Sequence, residues 1–397
     1  MAPDSGLPAN EHPETLASVG EGEVLRRLFP RLPHAAAELL GPGDDAAVVA
    51  APDGRYVVTT DMMIHGPDFR LAWSTPHDLG WKAAMSNLAD VAAMGARPTA
   101  LVVAIAAPLD TPVSLLLGIA DGLREACALS APGCGVVGGD LSVSATLTLA
   151  VTAFGDLAGR APVTRAGARP GDTVAVAGPL GRAGAGIALL FRDATTPAGA
   201  AGGGGAFGAG EGGEAARGGV GAEPDAELGR AVRAAHRELV EAQLAPRAPI
   251  ALGVVAAEAG ATAMLDVSDG LVLDGRRLAV ASGCVVSFDP SSIAAEARAL
   301  LETDPVVGAR AAEFVLSGGE DHALLATFPP TAPLPGGFRP LGTVRALASG
   351  TASTSGTAST SDTASTPGGR PDALVGTLPH SALGGWDPYA DWDGHAG

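Results

Sequence analysis

The sequence predicts a two-domain protein of mixed α/β (α+β) class. Three observations carry that expectation. At 397 residues the chain is long enough for two or three domains with real cores. Short β-branched runs alternate with helical stretches over most of its length. Two low-complexity tracts, 195–221 and 349–369, interrupt this texture without resembling hinges. The predicted organisation is a disordered tail over 1–19, a first domain over 20–158 and a second over 159–397 that carries both tracts.

The elements follow in order. Residues 55–60 (RYVVTT) predict a strand, with Asp61 just past its end. Thr75-Pro76-His77-Asp78 is a helix start, with Thr75 as N-cap, Pro76 at the first helical position and Asp78 at the third. That helix should run to Met94, where Gly95 supplies a stop. Strands are expected at 98–106 and 146–154, with a helix over 115–129 between them. Beyond Arg160 come a strand over 172–177 and a helix over 180–191. Further strands are expected at 263–267, 285–289 and 322–328, with helices at 227–244 and 271–281.

Charge excludes some functions. Lys and Arg number 25 against 43 Asp and Glu, a formal net charge of −18. A general nucleic-acid binder needs cationic surface, as does a protein held on anionic lipid, so neither partner is expected. Cys127, Cys134 and Cys284 are too few and too scattered for a disulfide framework or a zinc cluster. The first twenty residues lack the basic and apolar regions of a secretory signal. The apolar run 101–107 falls far short of the ~20 residues that span a bilayer. A cytoplasmic setting is expected.

The carboxylates fall in short apolar or glycine-rich frames: Gly43-Asp44-Asp45, Thr59-Thr60-Asp61, Asn87-Leu88-Ala89-Asp90, Gly138-Gly139-Asp140, Asp266-Val267-Ser268-Asp269-Gly270 and Gly318-Gly319-Glu320-Asp321. Asn87 and Asp90, three apart, share a helix face. Converging carboxylates with no lysine nearby repel one another unless cations sit between them. Oxygen donors of this kind suit several Mg²⁺ ions and phosphate oxygens. Each frame taken singly also suits a turn or a cap. The paired glycines before Asp140 and Glu320 would let backbone amides approach an anion. A phosphate-binding P-loop and the paired motifs of a protein kinase are both missing. Residues 178–184 (GPLGRAG) read as a strand-to-helix turn.

With these frames, GPGDDAAVV (41–49), TTDMMIHGPDF (59–69), KAAMSNLADVAAMGARP (82–98), GVVGGD (135–140), RAGARPGD (165–172), LDVSDGL (265–271), LSGGEDHAL (316–324) and GGWDPY (384–389) follow one another as in bacterial thiamine-monophosphate kinases. The resemblance covers about 20–192 and 228–345. It implies the two-domain aminoimidazole-ribonucleotide-synthetase-like fold, a homodimer with active sites near the subunit interface, and transfer of the ATP γ-phosphoryl group onto thiamine monophosphate. By motif it implies Mg²⁺ ligands at Asp45, Thr59, Thr60, Asp61, Asp90, Asp140, Asp266 and Asp269, with Asp44 and Asp321 behind them. It also implies ATP contacts at Gly139, Asp140, Arg165 and Ser268, and substrate contacts at Glu320 and Trp386. No protein nucleophile is expected, because phosphoryl transfer asks for positioning and charge neutralisation. Trp386 facing a thiazolium would contribute ~1–2 kcal/mol of cation–π attraction.

Two positions depart from that family. Its Glu-Gly-Val-His-Phe becomes His65-Gly66-Pro67-Asp68-Phe69, which puts Asp68 at the substrate-contacting histidine. Its Gly-Gly-Glu-Asp-Tyr ends here in His322, expected to be structural. A purine-pathway cyclo-ligase, a selenophosphate synthetase and a non-catalytic nucleotide-binding relative are the alternatives. The second would want a reactive cysteine near the N-terminus, and none precedes Cys127.

Overall fold

A computed structural model of the chain describes residues 14–40, 48–197, 222–347, 363–364, 370–376 and 378–379. Asp44, Asp45, Trp386 and most of both low-complexity tracts lie outside the described residues. The first half is built on a four-stranded sheet. In chain order it contributes β1 (Val57–Ile64), α1 (Pro76–Ala93), β2 (Arg97–Ala107), α2 (Val113–Ser130), β3 (Gly135–Val143) and β4 (Thr148–Asp156). The sheet order is β1-β4-β2-β3, antiparallel except for the parallel β2–β3 pair that α2 connects.

The second half adds β5 (Thr173–Ala177), α3 (Arg182–Asp193), α4 (Ala226–Ala235), α5 (Arg237–Leu244), β6 (Ala263–Val267), α6 (Leu271–Ser282), β7 (Val285–Phe288), β8 (Ala323–Phe328), β9 (Arg339–Leu347), β10 (Asp372–Val375) and β11 (Leu378–Pro379). Their order is β6-β8-β5-β9-β7-β10-β11, with Thr363–Ala364 added beside β9. The strands β5, β6, β7 and β8 are buried on both faces and mostly apolar, as expected for strands covered on both sides.

The helix start read from sequence is present in full. The Thr75 hydroxyl accepts from the Asp78 N–H at 3.1 Å, and the Asp78 carboxylate accepts from the Thr75 N–H at 2.9 Å. Gly95 ends the segment at φ 71°. Helices α1 and α2 pack backbone to backbone. A Cβ on Gly80 would lie 1.9 Å from the Ile119 carbonyl oxygen, and one on Gly122 would lie 2.1 Å from that of His77. Around this crossing Leu79, Met85, Leu88, Leu101, Leu116 and Ile119 form the first core.

Several expectations are corrected. Residues 16–19, assigned to an unstructured tail, form a helical turn: Thr15 and Ser18 cap it reciprocally and Leu16 is buried. Asp61 lies inside β1 rather than past its end, because pairing with β4 continues through Ile64 opposite Thr148. The helix expected over 227–244 is broken at His236 into α4 and α5. The second piece lies so close to α3 that a Cβ on Gly186 would meet the Leu239 carbonyl oxygen at 2.1 Å. Gly138-Gly139-Asp140 stands mid-strand in β3, where Gly139 lets the Val103 carbonyl approach within 2.0 Å of a Cβ position. Gly319 similarly makes room for the Ser268 carbonyl oxygen, 2.6 Å from its Cβ position.

Gly122→Ala should therefore force α1 and α2 apart and cost about 1–3 kcal/mol of stability, whereas Val280→Ala on the exposed side of α6 should cost under ~0.5 kcal/mol. Urea unfolding of both variants checks this; equal midpoints would refute the close crossing.

Candidate functional site

The cleft between the two sheets is organised by α1. Its polar residues Lys82, Ser86, Asn87 and Asp90 face β1 on one side and the ends of β6 and β8 on the other. The Thr59 hydroxyl donates to Asp90 Oδ2 at 2.8 Å, and the Asp61 N–H donates to Asn87 Oδ1 at 3.1 Å. Asn87 is fixed in turn by donating from Nδ2 to the Ala83 carbonyl at 2.9 Å. Thr59 and Asp61 alternate with Thr60 along β1, so they share the face toward α1.

The second half supplies the opposite wall. Asp266 is buried near the end of β6. The turn after it is held by Asp274, whose carboxylate accepts from the Ser268 N–H at 3.1 Å and the Asp269 N–H at 3.0 Å. Arg277 pairs with Asp269 and, at 2.6 Å, with Asp274. The segment leading into β8 is strained: Glu320 at φ 65° and His322 at φ 51° are both left-handed without being glycine. What holds it is the Glu320 N–H donating to the Ser268 carbonyl at 2.7 Å and the His322 N–H donating to that of Val267 at 3.0 Å. Asp321 is buried and accepts the amides of Gly181 and Ala183 at the start of α3.

Like charges crowd here. Burial, together with the charges of Asp266 and Asp61, pushes the Asp90 carboxyl up to about 7. Desolvation also raises Asp61, and Asp266, Asp269 and Asp68 add to the effect. Burial raises Asp274 to about 6. His322 lies fully inside the protein between the two walls, 3.1 Å from Asp266 Oδ2 through Nδ1 and 3.2 Å from the Ser86 hydroxyl through Nε2. Burial alone would lower its pKa, but the bond and charge of Asp266 win and raise it.

Beside this cluster stands a second one. Lys82 Nζ lies 2.8 Å from Glu320 Oε1, and Gln243 Nε2 donates to Glu320 Oε2. Burial disfavours the Glu320 carboxylate, yet Lys82 and Gln243 outweigh it and lower its pKa. Asp68 is close enough to feel both Glu320 and Lys82, and its Oδ2 accepts from the Ile64 N–H at 2.7 Å.

Not every sequence candidate meets here. Thr59, Asp61, Asp90 and Asp266 face the cleft, with Asp269, Ser268, Glu320 and Asp68 around it. Thr60 and Asp140 stand on the other face of the four-stranded sheet, where Thr152 donates to the Thr60 hydroxyl at 3.2 Å and Ser142 donates to Asp140 at 2.6 Å. Gly139 and Asp140 instead line an apolar cavity of about 830 Å³, with Phe29, Tyr56, Val102 and Leu123 among its other walls. Arg165 lies in an exposed loop, anchored where the Ser282 hydroxyl donates to its carbonyl at 2.9 Å. Lys82 and Gln243 were not singled out for this site in the sequence. Lys82 is the only lysine beside 24 arginines, which is a usable signal; Gln243 offers none.

Among the described residues no three His, Cys, Asp or Glu side chains form a group able to hold a metal ion alone. The donors nevertheless fit a hard divalent cation. Asp61 and Asp90 have no ion-pair partner among the described residues and Asp266 has only His322, and Mg²⁺ uses one or two carboxylates with phosphate oxygens and water rather than an all-protein cage.

Comparison with known proteins gives one picture. The family described as "AIR synthase related protein, N-terminal domain" matches residues 43–157. The chain is 43% identical over 336 residues to the thiamine-monophosphate kinase of Mycobacterium tuberculosis, covering 85% of this chain and 88% of that one. It is 40% identical over 333 residues to the enzyme of the same name from Corynebacterium glutamicum, covering 83% and 87%. The solved structure of AaThiL complexed with AMPPCP and TMP superposes with a TM-score of 0.55 at 28% identity, over 76% of this chain and 84% of that one.

The raised carboxyls predict how stability responds to pH. Folded Asp90 keeps its proton to about 7, whereas the unfolded chain loses it near 3.8. The folded state therefore binds more protons in that window, and this contribution to stability falls as pH rises through it. Without metal, thermal unfolding should move to lower temperature between pH 5 and pH 8. Added Mg²⁺ should raise the melting temperature more at pH 8 than at pH 5; an equal rise at both would count against ionised carboxylates as its ligands.

Proposed function

The chain belongs to the thiamine-monophosphate kinase family, and we propose that the carboxylate cleft between its two sheets is where the reaction occurs. The enzyme transfers the γ-phosphoryl group of ATP to the phosphate of thiamine monophosphate, giving thiamine diphosphate. The observation that carries the assignment of the cleft is the crowding of Asp61, Asp90 and Asp266 about α1, where His322 on Asp266 is the one cationic group among the described residues set against the three. Two phosphorylated substrates bring more negative charge still, so positive charge must arrive with them.

Asp61, Asp90 and Asp266, with Thr59 beside them and Asp45 from the motif before β1, would hold Mg²⁺. Bound there, the ions supply neutralisation of the charge that gathers on the phosphoryl oxygens. The chain's own residues do the rest by position. Thr59 and Asn87 fix the carboxylate of Asp90 and the backbone at Asp61, while His322 fixes Asp266. The turn at 266–270, set by Asp274, presents Ser268 and Asp269 to the nucleotide. By motif Arg165 and Gly139 also belong to the nucleotide's contacts, while in the single chain Gly139 lines the separate apolar cavity and Arg165 stands on its exposed loop. Glu320 and Asp68 form the side that takes the thiamine moiety, to which the GGWDPY motif (384–389) adds Trp386 by resemblance.

A homodimer completes the reading. The outer face of the four-stranded sheet carries Val58 and Met62, 55% and 59% exposed, beside Thr60 and Asp140. Burying such a face against a second copy would be favourable and would bring Thr60 and Asp140 into the interface. The three cysteines are free and buried, and no described helix is long and apolar enough to cross a membrane, which is compatible with a cytoplasmic setting.

Incubation with ATP, Mg²⁺ and thiamine monophosphate should yield thiamine diphosphate, and chelation of the metal should stop it. Asp61→Asn and Asp90→Asn should each lower kcat by at least roughly 100-fold with the fold retained by circular dichroism. Near-normal turnover in either would remove the cleft from the reaction. Met62→Arg should shift the chain from dimer to monomer in light scattering; an unchanged mass would exclude this face as the interface.

A further inference from the structure

Glu320 has an environment that its assignment as a substrate contact does not explain. Its side chain is 34% exposed, while the lysine against it is only 5% exposed. Each of its two carboxylate oxygens is already engaged by one donor, Lys82 on Oε1 and Gln243 on Oε2. Both donors are buried and both come from helices, α1 and α5, that belong to opposite halves of the chain. Lys82 is also the only lysine in a sequence that otherwise uses arginine. The orientation of the Gln243 amide follows from chemistry: a carboxylate can only accept, so the NH₂ end must face it. That leaves Gln243 Oε1 buried without a hydrogen-bond partner.

We propose that Lys82 and Gln243 are positioning residues that preset Glu320 as an ionised, acceptor-only group, and that this selects an amino-substituted heterocycle over its oxo counterpart. The inference rests on the reading that this chain phosphorylates thiamine monophosphate, whose pyrimidine ring carries an exocyclic NH₂. Each carboxylate oxygen of Glu320 keeps a lone pair after accepting one donor, and the side chain is one-third exposed. An NH₂ can donate to these oxygens. An exocyclic carbonyl oxygen in the same place carries no hydrogen to donate, so the carboxylate would lose its water without gaining a bond. The strained backbone at Glu320 fits this role, since a left-handed residue persists only where its surroundings fix it.

Removing Lys82 does more than delete a contact. A half-buried carboxylate without its ammonium binds a proton more readily, and where it does the resulting O–H donates where the native group accepts. Preference for the amino ring should then weaken for chemical rather than merely structural reasons. Gln243 contributes the same constraint through one neutral bond, so its loss should act in the same direction and less strongly.

The test measures kcat and KM for thiamine monophosphate and for the analogue phosphate bearing oxygen in place of the pyrimidine NH₂, in the wild type, Lys82→Met, Lys82→Arg and Gln243→Met. The wild type should prefer the amino substrate by about 100-fold in kcat/KM. Lys82→Met should reduce that preference by about tenfold or more, mainly through KM for the amino substrate, with KM for ATP within about twofold. Lys82→Arg, which keeps the charge, should retain most of the preference, and Gln243→Met should lose part of it. Equal losses toward both acceptors in Lys82→Met and Gln243→Met would overturn the proposal and leave the function standing. If Lys82→Met does not fold, the Gln243→Met preference decides alone. Absence of thiamine monophosphate phosphorylation by the wild type would instead overturn the function from which the proposal starts.

Discussion

Repulsion among half-buried carboxylates is the constraint around which this molecule is arranged. Asp61 comes from the four-stranded sheet, Asp90 from α1 and Asp266 from the larger sheet, so the cleft concentrates charge at the junction of the two halves. Two of the cations beside it are engaged by other carboxylates, Lys82 by Glu320 and Arg277 by Asp269 and Asp274, and His322 answers Asp266 alone. Asp90 is left without a cationic partner, and burial with its like-charged neighbours drives its carboxyl to about 7. A fold that isolates carboxylates in this way gives up stability that a bound cation restores.

The helix α1 makes that arrangement mechanically possible. It is buried along most of its length, with α2 against Gly80 on one side and the second half on others. A Cβ on Gly253 would meet the Ala92 carbonyl at 2.1 Å, and Trp81 donates from its indole to the Pro246 carbonyl at 2.6 Å. Asp78, already the capping partner of Thr75, also takes Arg233 of α4 in a two-pronged ion pair at 2.7 and 3.1 Å. The residue that starts the helix in the sequence thus also ties it to the other half. Asp90, Asn87 and Lys82 are consequently held from both sides, as preorganised ligands must be if charge neutralisation is to cost little reorganisation.

Much of this was legible in the residues, for identifiable reasons. The N-terminus of α1 was readable because a capping box is a local device and Gly95 is a local stop. Asp61, Asp90 and Asp266 were readable as candidates because carboxylates in apolar frames are chemically conspicuous. What was not readable was facing. Thr60 is adjacent to Asp61 in sequence and opposite to it in space, since strand side chains alternate. Asp140 shares that fate because Gly138-Gly139-Asp140 forms a strand interior, where Gly139 answers to the Val103 carbonyl. Gln243 could not have been found at all: a glutamine near a helix end signals nothing until the fold sets Glu320 beside it.

The replacement of the family histidine by Asp68 follows from the same electrostatics. Asp68 accepts the Ile64 N–H at 2.7 Å and so closes its own turn, a task for which a short carboxylate is well suited. His65 does not take over the lost ring, because it packs on Phe69 with ring centroids 5.5 Å apart, and burial next to Arg70 lowers its pKa. The segment therefore keeps one carboxylate, as in the family pattern, but carries it at position 68 in place of position 65. Burial raises the Asp68 carboxyl, Glu320 adds to that rise and Lys82 opposes it. Lys82 thereby acts on two carboxylates at once, Glu320 by contact and Asp68 through space. A site with the family's histidine at this position would depend less on that single lysine than this one does.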